Sequence, residues 1–308
     1  MTLEELNEHV ENGTIDEVIR VAEARQCKAL SHIADAITAR GRIRLVLLAG
    51  ASSAGKTTTA KRLCTQIRVN GLEAMHLSTD DYFVGNSRNP RDENGDFDYE
   101  TIECVDMPRL AEDINALFAG KAIHARRFDF VQHEGFDEER ETTLPQGGVI
   151  VLEGLHALNP RLTEEIADGL KFRLFIEPVT QPEVFATVCL SPNDARLLRR
   201  LVRDHQYRKV TPFETFKIWP KVLAGEKKWI TPFRAIADAE FDSALCYELA
   251  VLKPYVAGLL EIVKRQHPEI VRAEALSQLL SAVRETDSTK VPGDSILRET
   301  IGGSQLDY

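Results

Sequence analysis

The sequence predicts an α/β protein built on a mostly parallel β-sheet with helices on both faces. Short apolar segments bounded by polar or glycine-containing turns alternate along the chain with segments in which apolar residues recur at helical spacing. A parallel strand is buried on both faces, so it requires the nearly continuous apolar run that these segments show. The chain has 308 residues, 43% hydrophobic and 28% charged, which is enough for one large or two small domains. This composition excludes a collagen-like, coiled-coil or wholly disordered chain.

The charge and cysteine patterns exclude several classes of protein. The formal net charge of −10 provides no basic face for a nucleic-acid backbone, so we expect no nucleic-acid partner. No apolar run approaches the roughly 20 residues that span a bilayer, and the acidic N-terminus does not resemble a signal peptide. We therefore expect no membrane association and a cytoplasmic location. The cysteines are odd in number and contain no Cys-x-x-Cys pair, which argues against a disulfide framework and a zinc knuckle: Cys27, Cys64, Cys104, Cys189 and Cys246.

The first half of the chain contains the clearest helix and strand signals. Residues 1–40 are predicted to form a helical appendage, and residues 43–48 a buried strand that leads directly into a glycine-bearing loop. A helix follows the loop and ends at Asn70-Gly71. The apolar faces of these two helical segments comprise Leu30, Ile33, Ala34 and Ile37, and Ala60, Leu63, Cys64 and Ile67.

The remaining elements continue the alternation. Further strands are predicted at residues 74–77, 149–152 and 172–176, and a helix capped by Asp106 at residues 106–118. The polar segment 85–98 is predicted to be a surface loop or lid. A capping box predicts a further helix from Thr211, and residues 287–308 are predicted to be extended. This divides the chain into an N-terminal appendage (1–40), a central domain (41–265) and a helical or extended C-terminal tail (266–308).

The strongest motif follows the first strand and matches the phosphate-binding loop pattern in full. Its glycines let successive backbone N–H groups and the helix N-terminus point at phosphate oxygens. Lys56 is then expected to reach the β- and γ-phosphates of ATP, and Thr57 to ligate magnesium. The motif indicates the P-loop NTPase fold, with an ATP-binding set of Gly50, Ala51, Ser52, Ser53, Ala54, Gly55, Lys56, Thr57 and Thr58.

Carboxylates follow two other predicted strands. Glu153 ends the apolar run 149–152, and Asp80 and Asp81 follow the run 74–77. Ligands of open parallel sheets bind beyond the carboxyl ends of the strands, so these acids are expected beside the phosphate loop. There Glu153 would hold magnesium, and an aspartate would accept a proton from an attacking hydroxyl or share the metal. The alternative for Asp80 or Asp81 is helix capping, and one of the two can serve each purpose.

A basic helix is predicted in the C-terminal half. Four arginines recur at helical spacing opposite a leucine-rich face, and Arg208 and Lys209 extend the cluster. Because guanidinium groups suit a transferring phosphoryl group, we predict that this stripe binds phosphate. The alternative is a solvated charged face. The stripe consists of Arg196, Arg199, Arg200 and Arg203.

These motifs together resemble the uridine kinase and phosphoribulokinase family of P-loop kinases, and most closely the bacterial uridine kinase-like nucleoside kinases. The resemblance spans residues 43–252. Ser78-Thr79-Asp80 is similar to the family's strand-end element, which implies that Asp80 is the general base or a metal partner. Phe97-Asp98 is similar to the pair that holds the ribose hydroxyls, which implies that Asp98 binds the acceptor sugar.

The resemblance extends to the base pocket and the lid. Residues 128–133 are similar to a Tyr-Asp-Phe-x-x-His segment, which implies that Phe128 and His133 lie near the nucleoside base. The family's lid reads Arg-x-x-Arg-Asp followed by Arg-Gly-Arg, and it matches Arg200, Arg203-Asp204 and Arg208. The resemblance implies an arginine-rich lid helix whose arginines close over ATP and the acceptor. The chain differs from the family at two points, with Phe128 in place of tyrosine and Lys209-Val210 in place of Gly-Arg.

The resemblance implies an ATP- and magnesium-dependent kinase for the 5′-hydroxyl of a nucleoside, with uridine or cytidine as acceptor. Catalysis would involve Lys56, Asp80, Arg200 and Arg203, magnesium would be held by Thr57, Glu153 and Asp80, Arg208 would contact ATP, and the acceptor would contact Asp80, Asp98, Phe128, His133 and Arg200.

Two alternatives remain open at this stage. One is a kinase for another small hydroxyl substrate, such as a sugar phosphate or pantothenate, which would use the surplus arginines Arg126, Arg127, Arg196 and Arg199. The other is a regulatory module that binds ATP without transferring phosphate. The sequence also leaves open the identity of the nucleoside, the phosphate donor, feedback ligands and the formation of homo-oligomers.

Overall fold

A five-stranded parallel sheet forms the centre of the molecule, which confirms the predicted fold class. The computed structural model describes residues 1–93, 95–130, 132–179 and 190–307; Val131 and Cys189 lie outside these ranges. The sheet order is β2-β5-β1-β6-β7 and every neighbouring pair is parallel, while β3 and β4 form a separate antiparallel hairpin. The strands are β1 (Leu45–Gly50), β2 (Ala74–Ser78), β3 (Ile123–Asp129), β4 (Glu134–Thr142), β5 (Val149–Gly154), β6 (Lys171–Glu177) and β7 (Ala239–Asp242).

Helices cover both faces of this sheet. Leu30 and Leu63, from the first long helices, share a core with Val151 of β5. On the opposite face, Leu110 packs in the core that contains Leu152. Val151 and Leu152 are successive residues of β5 and point to opposite faces of the sheet, because side chains alternate between the two faces along a strand. The helices are α1 (Leu3–Glu11), α2 (Ile15–Ala39), α3 (Lys56–Val69), α4 (Met107–Phe118), α5 (Pro192–Tyr207), α6 (Pro212–Trp229), α7 (Glu248–Gln266), α8 (Val271–Ser281) and α9 (Arg298–Ile301).

The first 40 residues form two helices separated by a turn. Gly13 occupies that turn with φ of +70°, a conformation that glycine adopts without strain. The 25-residue helix α2 contributes to two cores, since Ile19 packs among the C-terminal helices whereas Ile37 packs beside α3 and the sheet. The segment predicted as an appendage therefore buries side chains in the body of the protein.

Several local predictions are confirmed. Asp106 caps α4 by accepting a hydrogen bond from the backbone N–H of Arg109, and Thr211 and Glu214 form the predicted capping box of α6. The described part of 85–98 contains neither helix nor named strand.

Within the described ranges, no helix is both long enough and apolar enough to cross a membrane.

Two strand-forming segments escaped prediction from the sequence. The β3–β4 hairpin stands outside the main sheet, and charged side chains such as Arg126 and Arg127 interrupt any apolar run in it. Strand β7 has four residues, of which Phe241 alone is buried. Neither segment carries the continuous apolar pattern that marks a strand buried on both faces.

The C-terminal segment differs from the extended tail predicted for residues 287–308. It contains a 3₁₀ turn, Ser288–Lys290, and the short helix α9, and its apolar side chains pack into the protein. The Cγ2 atom of Ile296 would lie 2.4 Å from a Cβ placed on Gly55, so this segment packs directly against the phosphate loop. Its buried apolar residues are Val291, Ile296, Leu297 and Ile301.

Candidate active site

The phosphate loop connects β1 to α3, as predicted. Gly55 has φ of +89° and Ser53 has φ of +62°, so the chain curls through left-handed conformations before the helix begins at Lys56. Gly50 runs close to β6, since a Cβ there would lie 2.3 Å from the carbonyl oxygen of Ile176. The Nζ of Lys56 donates a 3.3 Å hydrogen bond to the carbonyl oxygen of Ala51, within the loop.

Thr57 and Thr58, which belong to the predicted set, follow Lys56 in the first turn of α3. The hydroxyl of Thr57 donates a 3.0 Å hydrogen bond to Oε1 of Glu153. Thr58 is fully buried, and its hydroxyl donates a 3.3 Å hydrogen bond to Glu299 of α9. Its side chain is therefore directed to the C-terminal segment, whereas that of Thr57 is directed to the neighbouring strand.

Glu153 lies at the end of β5, next to β1 in the sheet. Its side chain is 2% exposed, and Oε2 has no hydrogen-bond partner among the described residues. Burial opposes ionisation, but the neighbouring His76 and the charge of Lys56 outweigh it and lower the pKa of Glu153. A buried carboxylate with a free oxygen, next to the hydroxyl of Thr57, is a donor set that magnesium prefers.

Asp80 follows β2 in a 3₁₀ helix, Thr79–Tyr82. Its backbone N–H donates to the hydroxyl of Ser78 at 3.3 Å, while Oδ1 is buried and without a partner among the described residues. Burial raises the pKa of Asp80 and the charge of Glu153 raises it further, whereas Lys56 and Arg208 oppose the rise. Asp80 thus faces both the acid of β5 and the cations of the phosphate loop and lid.

These residues fit a magnesium ion with oxygen ligands from Thr57, Glu153 and Asp80. Two of the three contribute buried carboxylate oxygens that lack a partner in the described part of the chain. No group of three or more His, Cys, Asp or Glu arranged around a metal position occurs among the described residues. The set therefore suits an ion that also takes phosphate oxygens and water as ligands.

Part of the arginine stripe on α5 faces this site. Arg200 donates to the hydroxyl of Ser52 at 2.8 Å and pairs with Asp204 at 3.0 Å. Arg203 pairs with Asp204 at 2.9 Å. The like charge of Arg203, together with burial, lowers the pKa of Arg208 to about 10. Asp204 thus holds the guanidinium groups predicted to contact ATP and the acceptor.

The other two arginines correct the prediction of a single phosphate-binding stripe. Arg196 is fully buried, pairs with Glu226 at 2.7 Å and donates to the carbonyl oxygen of Ser52 at 3.2 Å. Arg199 is 2% exposed, pairs with Glu248 and donates to the carbonyl oxygen of Ser53 at 3.4 Å. Their acidic partners lie on α6 and α7, which sequence spacing could not place beside α5. Both arginines therefore bind the backbone of the phosphate loop and stabilise its conformation.

The predicted acceptor residues lie around the loop 85–98 and the hairpin. Phe128 is 8% exposed, and its ring packs edge-on against Phe83 with centroids 5.4 Å apart. His133 has φ of +55°, and its ring stacks on Tyr99 with centroids 5.8 Å apart. Asp98 accepts a 3.0 Å hydrogen bond from the backbone N–H of Glu100.

Contacts link this region to the catalytic side. Arg127 of the hairpin lies 3.5 Å from Asp81, and the guanidinium of Arg208 lies 4.8 Å from the centre of the Phe130 ring.

Sequence analysis missed His156, which is 2% exposed and lies three residues after Glu153. The one signal that could have found it is its position just beyond a strand that ends in an acid.

The parallel sheet, the phosphate loop and the strand-end carboxylate define a P-loop nucleotide-binding protein. Within that class, the chain belongs to the phosphoribulokinase / uridine kinase family, whose model matches residues 45–250. This confirms the resemblance recognised in the sequence and establishes the chain as a member of a kinase family.

Two uridine kinases agree with this assignment. A uridine kinase from Deinococcus deserti is 32% identical over 165 residues, which are 54% of this chain and 70% of that protein. A uridine kinase from Lactobacillus helveticus is 27% identical over 164 residues, which are 53% of this chain and 69% of that protein. A solved structure described as a possible uridine kinase from Bacillus stearothermophilus aligns with a TM-score of 0.44 and 19% identity, covering 71% of this chain and 100% of that one.

Proposed function

We propose that this protein is a nucleoside kinase that transfers the γ-phosphoryl group of ATP to the 5′-hydroxyl of a ribonucleoside, with uridine or cytidine as acceptor. The observation that carries this proposal is Asp80, whose buried Oδ1 has no partner among the described residues. It interacts with Lys56 and Glu153, which belong to the phosphate site, and with Arg203 and Arg208 of the lid. The names of the relatives support a nucleoside as the acceptor.

The phosphate donor, ATP, would bind at the phosphate loop. Backbone N–H groups of the loop and Lys56 would bind the β- and γ-phosphates. Thr57, Glu153 and Asp80 would hold magnesium, which when bound neutralises phosphate charge. Arg200 and Arg203, both paired with Asp204, would stabilise the charge that develops on the transferring group.

The chemical step requires a base for the acceptor hydroxyl. Asp80 would accept the proton of the 5′-hydroxyl while that oxygen forms a bond to the γ-phosphorus. The bond from the γ-phosphorus to the β,γ-bridging oxygen breaks, and ADP leaves with that electron pair. A raised pKa suits this role, because a base must bind the proton that it removes.

Acceptor selection would involve the loop 85–98 and the hairpin. Asp98 would hold the ribose hydroxyls, with His133 and Phe128 near the base. Arg126 and Arg127, which a phosphorylated acceptor would need, lie near carboxylates, with Asp137 at 3.5 Å and Glu138 at 2.6 Å respectively. These pairs favour an uncharged acceptor.

The test is ADP release from ATP and magnesium across a panel of ribonucleosides, deoxyribonucleosides, ribulose 5-phosphate and pantothenate, with Lys56→Ala as the blank. We expect turnover on a pyrimidine ribonucleoside. Activity confined to a phosphorylated sugar or pantothenate would contradict the proposed acceptor. Binding of ATP without turnover on any acceptor would contradict the proposed activity and favour a regulatory module.

A further inference from the structure

His156 lies in the turn that follows β5, three residues after Glu153. Gly154 begins that turn with φ of +157°, and a Cβ on it would lie 1.7 Å from the hydroxyl oxygen of Thr79. The end of β5 therefore packs directly against the 3₁₀ helix that carries Asp80. This close contact leaves His156 inside the protein, where its side chain is 2% exposed.

The His156 ring is buried, and at least one of its nitrogens has no hydrogen-bond partner among the described residues. Neither Nδ1 nor Nε2 makes a hydrogen bond of ordinary geometry to a described residue, although the backbone of Glu100 lies close enough to interact with one of them. Buried polar groups in folded proteins almost always have a hydrogen-bond partner, and an unpaired one is costly. Because the backbone of Glu100 can satisfy one nitrogen at most, the other nitrogen of this buried ring is left without a partner and indicates a ligand group that completes the site.

The neighbours of His156 indicate the chemistry of that ligand. Burial and the charge of Lys56 lower the pKa of His156 to about 4, whereas the backbone of Glu100 and the carboxylate of Asp98 act in the opposite direction. The ring thus feels the charges of both Lys56 and Asp98, and it is neutral near pH 7. A neutral imidazole offers one donor and one acceptor, which matches a hydroxyl group.

We propose that His156 is a specificity-determining residue that hydrogen-bonds a secondary hydroxyl of the acceptor sugar, beside Asp98. This inference rests on the proposed function and deepens it by naming a sugar contact. A hydroxyl can donate to one ring nitrogen or accept from the other, so it satisfies a buried group of the site. An acceptor that lacks this hydroxyl leaves the nitrogen unpaired and is discriminated against.

The test compares the wild-type protein with His156→Leu, His156→Asn and His156→Gln. For each, kcat/KM is measured on the preferred ribonucleoside and on its 2′-deoxy and 3′-deoxy analogues, with thermal unfolding and ATP binding followed in parallel. We expect His156→Leu to lose at least about tenfold in kcat/KM on the ribonucleoside and less than about threefold on the analogue that lacks the contacted hydroxyl. Either His156→Asn or His156→Gln should restore part of the loss, because Asn and Gln place polar atoms near different ring nitrogens. If His156→Leu fails to fold, the two amide variants provide the comparison. His32→Leu, at an exposed position of α2, is the matched control.

Equal losses on the ribonucleoside and both analogues would show a structural role and overturn the proposal. An unchanged kcat/KM in all three variants would also overturn it. If the wild-type protein phosphorylates no nucleoside, the proposed function fails and this assignment fails with it. If the wild-type protein phosphorylates a ribonucleoside but the losses do not depend on the hydroxyl, the assignment of His156 alone fails.

Discussion

The hydroxyl of Thr57 and the carboxylate of Glu153 are joined by a 3.0 Å hydrogen bond, although the two residues are 96 positions apart in the chain. The bond links the first turn of α3 to the end of β5, and it exists because β1 and β5 are neighbours in the sheet, with Leu48 opposite Glu153. The phosphate loop is thereby joined to the carboxylate proposed to hold magnesium.

Glu153→Gln tests this relationship. The change keeps the shape of the side chain but removes the charge that attracts a divalent cation. We expect kcat to fall at least about tenfold and the magnesium concentration for half-maximal activity to rise. Activity measured against magnesium concentration checks this. Glu103→Gln, which alters a half-exposed acid paired with Arg161, is the control and should behave as wild type. An unchanged magnesium dependence in Glu153→Gln would remove Glu153 from the metal site.

Asp80→Asn tests the proposed base. An amide cannot accept the proton of the acceptor hydroxyl, so we expect turnover to fall by roughly 10²- to 10⁴-fold while ATP binding is retained. Steady-state kinetics and nucleotide-binding titrations measure the two effects separately. Asp81→Asn is the matched comparison, because Asp81 lies 3.5 Å from Arg127 and should affect turnover less. The reverse order of effects would assign the role to Asp81.

Arg199→Met tests the buried ion pair beneath the phosphate loop. Removing one partner leaves Glu248, which is 1% exposed, as an uncompensated buried acid. We expect the free energy of unfolding to fall by about 3 to 5 kcal/mol. Chemical denaturation measures this change. Arg284→Met removes the exposed pair with Glu11 and should cost less than about 1 kcal/mol. Equal costs at the two positions would contradict the structural role of Arg199.

Lys209→Gly tests a departure from the family sequence. Lys209 is exposed and has φ of +56°, so a lysine occupies a left-handed conformation where the family has glycine. We expect the glycine variant to be more stable by about 0.5 to 1 kcal/mol, because it removes the steric cost of the Cβ. The matched control is Lys217→Gly, at an exposed position inside α6, which should lose about 1 kcal/mol. Loss of stability in both variants would contradict the prediction.

The stability of the protein should also depend on pH through His156. Its pKa is about 4 in the folded state against an ordinary 6.5, so the unfolded chain binds an extra proton between these values. The wild-type protein should therefore lose stability relative to His156→Asn as the pH falls from 7 to 4.5, by about 2 kcal/mol. Unfolding free energies of both proteins at several pH values measure this difference. His32→Asn should show no such difference, and a constant gap between wild type and His156→Asn would contradict the buried neutral ring.

Most of the sheet and the donor half of the site could be predicted from local sequence. Strand β5 is a continuous apolar run ending in Glu153, and the phosphate loop is a contiguous pattern, so both signals lie within a few residues. The hairpin could not be predicted in this way, because its side chains are half-exposed and charged. The packed C-terminal segment was missed for a related reason, since its few buried apolar residues, such as Ile296-Leu297 and Ile301, are separated by polar residues and form no continuous apolar pattern.

The sequence by itself determined the fold class, the family and the phosphate loop, because these depend on residues that are neighbours in the chain. Only the tertiary structure decided what each arginine of α5 contacts. Arg196 and Arg199 are neutralised by acids of other helices, whereas Arg200 and Arg203 share Asp204 near the site. Only the tertiary structure showed that the His156 ring is buried with a nitrogen that no described residue satisfies. Charge pairing and burial depend on residues that are distant in sequence, and periodicity along one helix or strand does not specify those contacts.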